Sequence, residues 1–274
     1  MFTYSDLRQS LRASLAAFLS PEEAAAEAAL WFSEGLGREA SWFHAHGMEP
    51  VPDGERHQIG GWLERRQKGE PWAYILGWSL WRGRRFETGP ATLIPRPETE
   101  LVLEAALEVG KRLGVRHAVD IGTGTGILGI TMALETDWAI TATDISEKAL
   151  AVAQRNALAL GAKLSFRPGD LLGPVPNPVG LVVSNPPYVD PADRPGLQRE
   201  LSFEPETALF APDRGLALTT ELLKQARVRS APGCVLEIGS GQGDELSTRA
   251  RVMGWKRVMI HRDFAGHDRV LVVC

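Results

Sequence analysis

Cysteine is almost absent from this chain of 274 residues. Cys234 and Cys274 stand far apart, so neither a disulfide framework nor a cysteine zinc site can be built from them. His44 and His46 have no clear acidic or cysteine companion, and we interpret them as surface residues rather than metal ligands. The chain also lacks a run of roughly 20 apolar residues and a secretory signal. We therefore expect a cytoplasmic protein with no metal site and no membrane span.

An excess of positive charge is missing too, because the formal net charge is -4. Non-specific nucleic-acid binding usually requires a positive field. The short basic run Arg82-Gly83-Arg84-Arg85 could meet phosphates or an acidic partner, but such runs are more often solvated surface. Composition thus disfavours bulk nucleic-acid binding.

The first 70 residues are predicted to be helical. An apolar stripe typical of an amphipathic helix is formed by Leu7, Leu11, Leu15 and Leu19. Ser20 and Glu23 have the spacing of a capping box for a second helix, and Asp53 is placed to cap a third that ends near Lys68. Six of the eight tryptophans fall within the first 81 residues. They indicate either core packing or a partner-binding surface.

The pattern of elements changes after this region. Residues 74–92 predict a β-hairpin linker that turns near Gly83, and Pro97 is expected to open a helix ending near Leu113. Strands and helices then alternate through residues 93–274, with strands expected at 163–167 and 256–260 among others. This alternation predicts an α/β fold with a parallel, doubly wound, Rossmann-like sheet. Three parts follow: residues 1–73 helical, 74–92 the linker, and 93–274 the α/β domain.

A glycine-rich turn follows the first strand of the α/β domain and indicates a cofactor site. The turn Gly122-Thr123-Gly124-Thr125-Gly126 lets the backbone approach a ligand closely, and Asp144 ends the next strand, where its carboxylate can accept both ribose hydroxyls of an adenosine. A dinucleotide fingerprint would need a third glycine where Ile127 stands. The G-x-G-x-G pattern therefore favours S-adenosylmethionine, and a nicotinamide oxidoreductase is a less favoured alternative.

Two further features bear on that site. Asp170 is placed to accept a hydrogen bond from the adenine amine while Leu171 packs on the ring, although Asp170 could also be a simple turn residue. A second glycine cluster, Gly239–Gly243, also follows a strand and is followed by Asp263 at a similar spacing. The pattern alone cannot dismiss that cluster, but only the first leads on to a third contact and a reactive loop.

The reactive loop is Asn185-Pro186-Pro187-Tyr188, which follows a buried strand at the edge where α/β folds bind ligands. An amide or aryl amine is a poor nucleophile because its lone pair is delocalised. The Asn185 side-chain oxygen and the Pro186 carbonyl can each accept one N–H and so draw the lone pair toward a methyl donor. Pro187 stiffens the turn, and Tyr188 offers a flat face for a planar substrate group. No general base is required.

Five stretches carry a resemblance to a known family. They are Tyr74-Ile75-Leu76-Gly77, Leu93-Ile94-Pro95-Arg96-Pro97-Glu98-Thr99-Glu100, Asp120 to Gly126, Val183 to Tyr188, and Phe203-Glu204-Pro205-Glu206-Thr207-Ala208-Leu209. Through them the chain resembles the N5-glutamine methyltransferases of the HemK/PrmC type, which act on the Gly-Gly-Gln motif of class I peptide-chain release factors. The Pro-Arg-Pro-Glu-Thr-Glu stretch is the most discriminating, because DNA and RNA amino-methyltransferases share the Asn-Pro-Pro-Tyr loop.

The resemblance implies a class I methyltransferase fold and specific roles. It implies that Gly122 to Gly126, Asp144, Leu171 and Asn185 contact S-adenosylmethionine, and that Asn185 to Tyr188 hold the glutamine. One departure is Leu171, since that position is often aromatic in the family. The helical N-terminal domain is expected to dock the release factor, with the protein a monomer that takes no nucleic-acid substrate. A nucleic-acid N6-adenine methyltransferase and a non-enzymatic translation-factor binding module remain the alternatives.

Overall fold

The computed structural model describes residues 1–274. The chain divides into two compact units, Met1–Gly77 and Trp78–Cys274. Each unit contains a hydrophobic core built from its own residues. A unit with its own core has the main physical requirement for folding alone.

The first unit is all-helical, in agreement with the sequence pattern. Its helices are α1 (Tyr4–Leu15), α2 (Pro21–Leu30), α3 (Trp42–His46), α4 (Asp53–Gln67) and α5 (Trp72–Leu76), with a π-helical turn over Trp31–Gly35. The predicted capping box is present, because Ser20 Oγ accepts the N–H of Glu23 and the Glu23 carboxylate accepts the N–H of Ser20. This box satisfies two donors that the helix itself cannot.

Two boundary predictions in this unit were wrong. Helix α1 ends at Leu15, and Leu19 packs against the core from beyond the helix. Asp53 is not the cap of α4: Pro52 holds that position and Asp53 is the first helical residue, where a negative charge still complements the helix dipole. The apolar stripe identified the buried face, but the ends of helices depend on local capping.

Tryptophan side chains fill the core of the first unit. Trp31 is fully buried, stacks on Trp72 with ring centroids 4.8 Å apart, and meets Trp62 edge-on at 6.0 Å. Beside this core the buried guanidinium of Arg66 donates two hydrogen bonds to Glu27, at 2.7 and 3.1 Å. Core packing therefore accounts for these three tryptophans.

The second unit begins with a β-hairpin, β1 (Trp78–Trp81) and β2 (Arg84–Glu87). The elements that follow are α6 (Thr99–Leu113), β3 (His117–Ile121), α7 (Ile127–Glu135), β4 (Ala139–Asp144), α8 (Glu147–Leu160), β5 (Ser165–Pro168), β6 (Leu181–Ser184), α9 (Glu206–Leu209), α10 (Ala217–Val228), β7 (Cys234–Glu237), α11 (Gly243–Val252), β8 (Val258–Arg262) and β9 (Asp268–Val273). The hairpin turns at Arg82 and Gly83, whose positive φ angles of 45° and 72° fit the two-residue turn that matches strand twist. The predicted turn near Gly83 is thus confirmed.

Strands β3 to β9 form one sheet in the order β5-β4-β3-β6-β7-β9-β8. Alternate residues of β6 belong to different cores, with Leu181 and Val183 in one and Val182 in the other. Since successive strand residues point to opposite faces, both faces of the sheet are covered. Strands β4 and β5 are added on one side of β3, whereas the parallel strand β6 lies on its other side. The strand order therefore switches between β3 and β6, which is the position where open α/β sheets bind ligands.

The sequence predicts a parallel sheet, but the sheet is only mostly parallel. Strand β9 runs antiparallel to both β7 and β8. The short connection between Arg262 and Asp268 permits a hairpin but not the long crossover that a parallel pair requires. The strands predicted at 163–167 and 256–260 lie about two residues later, and α6 begins at Thr99 rather than at Pro97. Such shifts are typical of element ends.

The basic run of the hairpin contacts groups of its own unit. Arg84 pairs with Glu135 at 3.1 Å, and the Arg85 guanidinium lies 4.2 Å from the ring centroid of Trp78. Arg82 lies 3.8 Å from the carboxylate of Glu135 as well. Arg82 and Arg84 are therefore paired with an acidic group of the same unit, while Arg85 contacts an aromatic ring. In neither unit does a helix combine the length and the apolar character that crossing a bilayer would demand.

Candidate active site

A cavity of about 530 Å³ opens at the carboxyl ends of β3, β4 and β6. Its lining includes most of the predicted site residues: Gly122, Thr123, Gly124, Thr125, Asp144, Asp170, Leu171, Asn185, Pro186 and Pro187. Gly126 and Tyr188 are not among the lining residues. The volume lies within the range of small-molecule sites. One cavity thus brings the glycine turn and the reactive loop together.

The glycine turn owes its shape to backbone angles that favour glycine. Gly122, Gly124 and Gly126 have φ of 66°, 56° and 89°. An added Cβ at Gly126 would also lie 2.6 Å from the side chain of Ile130, whereas at Gly122 and Gly124 it would meet nothing. The pattern therefore reflects conformation at all three positions and close packing at the third.

Asp144 places a carboxylate at the end of β4 on the cavity wall. One oxygen accepts the N–H of Gly124 at 3.0 Å, and the other accepts the N–H of Ser146 at 2.8 Å. Burial raises the pKa of this carboxyl, and the backbone donors partly oppose that rise. Each carboxylate oxygen can accept more than one hydrogen bond, so Asp144 retains acceptor capacity toward the cavity.

Asp170 and Leu171 form another side of the cavity. Asp170 is exposed, and Leu171 has a φ of 45°, an uncommon conformation for a non-glycine residue. The Thr143 hydroxyl donates to the Leu171 carbonyl at 3.4 Å. Strain of this kind persists where surrounding contacts impose it, and it is frequent at ligand sites. The roles predicted for both residues at an adenine ring remain predictions.

The reactive loop presents a defined amide orientation. Asn185 Nδ2 donates to Thr99 Oγ1 at 3.2 Å, which leaves Oδ1 without a partner in the protein. The Pro186 carbonyl likewise accepts no backbone hydrogen bond. Both residues line the cavity, so two acceptors are available to a group bound there.

Two residues that the sequence reasoning missed support this loop. Thr99, at the start of α6, donates to Glu237 Oε2 at 2.6 Å, and the Tyr188 hydroxyl donates to Glu237 Oε1 at 3.2 Å. Glu237 is buried at the end of β7, and burial raises its pKa to about 7. The available signal was an acidic residue ending an otherwise apolar strand next to β6. The predicted flat face of Tyr188 for the substrate stays a prediction.

The second glycine cluster serves a structural purpose in this fold. Gln242 Oε1 accepts the N–H of Gly239 at 2.8 Å, and its Nε2 donates to the carbonyls of Tyr188 at 3.0 Å and Arg214 at 3.2 Å. Its own side chain thus fills the turn that could otherwise have received a ligand. Through Gln242 the cluster is hydrogen-bonded to the Tyr188 carbonyl of the reactive loop.

A buried carboxylate joins two of the stretches that carried the family resemblance. Glu204 accepts the N–H of Ile94 at 2.9 Å and is paired with Arg96. Arg96 and Pro205 both line the cavity. Two loops far apart in sequence are thereby held together at the site.

Comparison with known proteins agrees with this arrangement. A family model described as PrmC N-terminal domain matches residues 6–77, and one described as Methyltransferase small domain matches residues 99–211. The release factor glutamine methyltransferase of Bordetella pertussis is 36% identical over 249 residues, which cover 89% of this chain and 92% of that protein. The chain belongs to the release factor glutamine methyltransferase family. The relative from Neisseria gonorrhoeae is 41% identical over 82% of this chain and 84% of its own length.

Solved structures support the fold of this methyltransferase. A methyltransferase from Pyrococcus furiosus superposes with a TM-score of 0.52 at 17% identity, over 81% of this chain and 98% of that one. The N-terminal domain of human METTL16 in complex with SAH superposes with a TM-score of 0.51 at 15% identity, over 77% and 78%. At such identities the likeness concerns the class I methyltransferase fold alone.

The cofactor of the family is S-adenosylmethionine, and the cavity has features that fit it. The carboxylate of Asp144 has acceptor capacity for hydroxyl groups, and the exposed carboxylate of Asp170 has no hydrogen-bond partner in the protein. Apolar side chains such as Ile127 and Leu171 complete a wall suited to a planar ring. The donors and acceptors present are thus compatible with an adenosine group.

Proposed function

We propose that this enzyme methylates the side-chain amide nitrogen, N5, of the glutamine in the Gly-Gly-Gln motif of class I peptide-chain release factors. The observation that carries the proposal is the free Oδ1 of Asn185 at the cavity, beside the Pro186 carbonyl that has no backbone donor. A primary amide has two N–H groups, and these two acceptors match them in number. The printed names of the relatives from Bordetella pertussis and Neisseria gonorrhoeae support the same substrate.

Within this proposal the loop residues make the amide nitrogen reactive. Asn185 Oδ1 and the Pro186 carbonyl each accept one N–H, which favours a pyramidal nitrogen whose lone pair is no longer conjugated with the carbonyl. Pro187 limits the freedom of the loop so that both acceptors keep their places. Water takes the proton that the nitrogen loses after methylation, so no side chain is assigned as a base.

Cofactor-holding roles are proposed for the residues around the glycine turn. The backbone of Gly122, Thr123, Gly124 and Thr125 shapes the floor, and Gly126 completes the turn without lining the cavity. Asp144 accepts the ribose hydroxyls, and Asp170 and Leu171 contact the adenine. When bound, S-adenosylmethionine supplies an electrophilic methyl group on a sulfonium sulfur and leaves as S-adenosylhomocysteine. The chain itself contributes position and electrostatics rather than covalent chemistry.

We further propose that residues 1–73 form the docking domain for the release factor, and that the enzyme acts as a cytoplasmic monomer without a nucleic-acid substrate. Support comes from the separate core of the first unit and from the ion pairs that Arg82 and Arg84 of the basic run form within the second unit. A partner protein would be held by one unit while the other contains the cavity.

Incubation with a labelled methyl donor tests the proposal. We expect label on a class I release factor and none on the variant whose Gly-Gly-Gln glutamine is replaced by alanine. A single-stranded oligonucleotide that contains adenine serves as a second acceptor and is expected to remain unlabelled. Equal label on both release-factor forms, or label on the oligonucleotide alone, would show that the Gly-Gly-Gln glutamine is not the methyl acceptor.

A further inference from the structure

Glu237 reaches the reactive loop through a chain of hydrogen bonds. Its strand, β7, lies beside β6, with Leu236 paired to Ser184, so that Glu237 and Asn185 leave neighbouring strands at the same level. Thr99 Oγ1 lies between them, 2.6 Å from Glu237 Oε2 and 3.2 Å from Asn185 Nδ2. Thr99 is fully buried and Glu237 is 1% exposed, so bulk water does not compete for these bonds.

The threonine hydroxyl has a single proton, and this decides how the amide is turned. When that proton is donated to the Glu237 carboxylate, the hydroxyl can only accept a bond from Asn185. The amide must then present Nδ2 to Thr99 and Oδ1 to the cavity. The opposite orientation would place two acceptor oxygens against each other.

We propose that Glu237, acting through Thr99, selects the orientation of Asn185 in which Oδ1 faces the substrate nitrogen. Glu237 is in this view a positioning residue for methyl transfer, which rests on the proposed function of Asn185 as an acceptor. The Tyr188 hydroxyl donates to the other carboxylate oxygen at 3.2 Å and keeps the carboxylate plane fixed.

Protonation of Glu237 relaxes this selection. A neutral carboxyl can donate to Thr99, whose proton then turns to Asn185 and favours the amide with Oδ1 toward the threonine. Burial raises the pKa of Glu237 to about 7, the Thr99 and Tyr188 hydrogen bonds oppose the rise, Glu98 adds to it and Arg269 opposes it. The fraction of correctly turned amide therefore decreases as pH falls through about 7.

The first test measures kcat and KM of the full-length enzyme on a release factor across the neutral pH range. Wild type should show kcat rising with pH around 7 at constant KM. Glu237→Gln cannot ionise, so its kcat should stay near the acid plateau, about tenfold below the alkaline plateau, without a pH step. Thr99→Val should lose the step as well, whereas Thr99→Ser, which keeps the hydroxyl, should restore it.

A second buried carboxylate provides the matched control. Glu204→Gln alters a residue that bonds Ile94 and Arg96 but makes no contact with Asn185, so the pH step should persist. Binding of S-adenosylhomocysteine to each variant reports whether the fold is retained. A Glu237→Gln enzyme with the wild-type step would overturn the proposal.

The second test requires no substrate. The side-chain ¹⁵N–¹H₂ signal of Asn185, assigned by its loss in Asn185→Asp, should shift as Glu237 titrates and should be independent of pH in Glu237→Gln. If the release factor is never methylated while this titration is seen, the proposed function fails, and only the coupling of Glu237 to the orientation of the Asn185 amide is supported. An Asn185 side-chain signal whose chemical shift is independent of pH in the wild-type enzyme would overturn the proposal.

Discussion

Asp144 uses its carboxylate to hold the backbone of the glycine turn and of the turn before α8, yet keeps acceptor capacity toward the cavity. We predict that Asp144→Ala weakens binding of S-adenosylhomocysteine by about 1.5 to 3 kcal/mol, because charge-assisted hydrogen bonds are lost. Calorimetry measures this change. Asp137→Ala, which removes an exposed carboxylate paired with Arg116, is the control and should leave the dissociation constant as it is.

Asn185 has its Nδ2 engaged and its Oδ1 free, so the amide oxygen is the part available for chemistry. We predict that Asn185→Ala lowers kcat by about 10²- to 10³-fold, as expected for the loss of one positioned acceptor. Methyl incorporation into the release factor measures the loss. The exposed Asn177 provides the comparison, since Asn177→Ala should retain activity. Substantial turnover by the Asn185 variant would refute the acceptor role.

The buried carboxyl of Glu237 also links stability to pH. Its pKa is raised by burial from 4.5 to about 7, so the folded protein binds a proton more tightly than the unfolded chain. The stability this contributes is complete below about 4.5 and is lost as pH rises through about 7. As pH rises from about 4.5 to about 7, the free energy of unfolding of Glu237→Gln should increase relative to that of wild type by on the order of 3 kcal/mol. Urea unfolding at several pH values measures the gain, and a pH-independent difference would contradict it.

Among the residues of the candidate site, the sequence predicted those that belong to a recognisable motif and missed the residues that hydrogen-bond to them. The glycine turn, Asp144 and the Asn185 loop could be predicted because each stands at the carboxyl end of a strand. Thr99 and Glu237 are separated from each other by 138 residues in the chain, and only the fold brings them together. No periodicity or spacing reports such a contact.

Among the elements, helix α8 connects the hairpin to the glycine turn through one residue. Asn156 accepts the N–H of Glu87 at 2.7 Å and donates to the carbonyls of Glu87 and Thr125 at 3.0 and 2.9 Å. Asn156→Ala leaves these backbone groups unpaired and should destabilise the enzyme by about 3 kcal/mol, at about 1 kcal/mol for each bond. Hydrogen exchange at the Glu87 amide should accelerate in parallel.

The adjacent arginine provides the control for that prediction. Arg155 pairs with the Glu87 carboxylate at 2.6 Å, but both side chains are largely exposed. Arg155→Ala should therefore cost at most about 1 kcal/mol. Equal losses for the two variants would mean that Asn156 has no special part in joining these elements.

Element type was predicted more reliably than element ends and strand direction. The alternation after residue 93 identified the sheet because apolar runs and turns recur at regular intervals. The antiparallel direction of β9 was missed because the apolar pattern of a strand does not show its direction. The direction of β9 follows from the short connection between β8 and β9. The shifts at Thr99 and Ser165 reflect local hydrogen bonding that patterns do not resolve.

For the whole molecule, the cavity belongs entirely to the second unit, with lining residues from Pro90 to Leu218. We predict that residues 78–274 alone bind S-adenosylhomocysteine with the affinity of the full chain, because that unit has its own cores. If the first unit docks the release factor, KM for that substrate should rise by at least about tenfold in the shorter protein. An unchanged KM of the shorter protein for the release factor would contradict a docking role for residues 1–73.

The bonds of Asn156 to both backbone groups of Glu87 have a consequence for how far the hairpin can vary. The tip at Arg82 and Gly83 is free to accept extra residues, because lengthening it leaves the anchored end of β2 in register. A single insertion between Phe86 and Glu87 would instead turn the fully buried Phe86 outward and separate the anchor from its amide. Natural and engineered length changes should therefore accumulate at the tip and avoid the base.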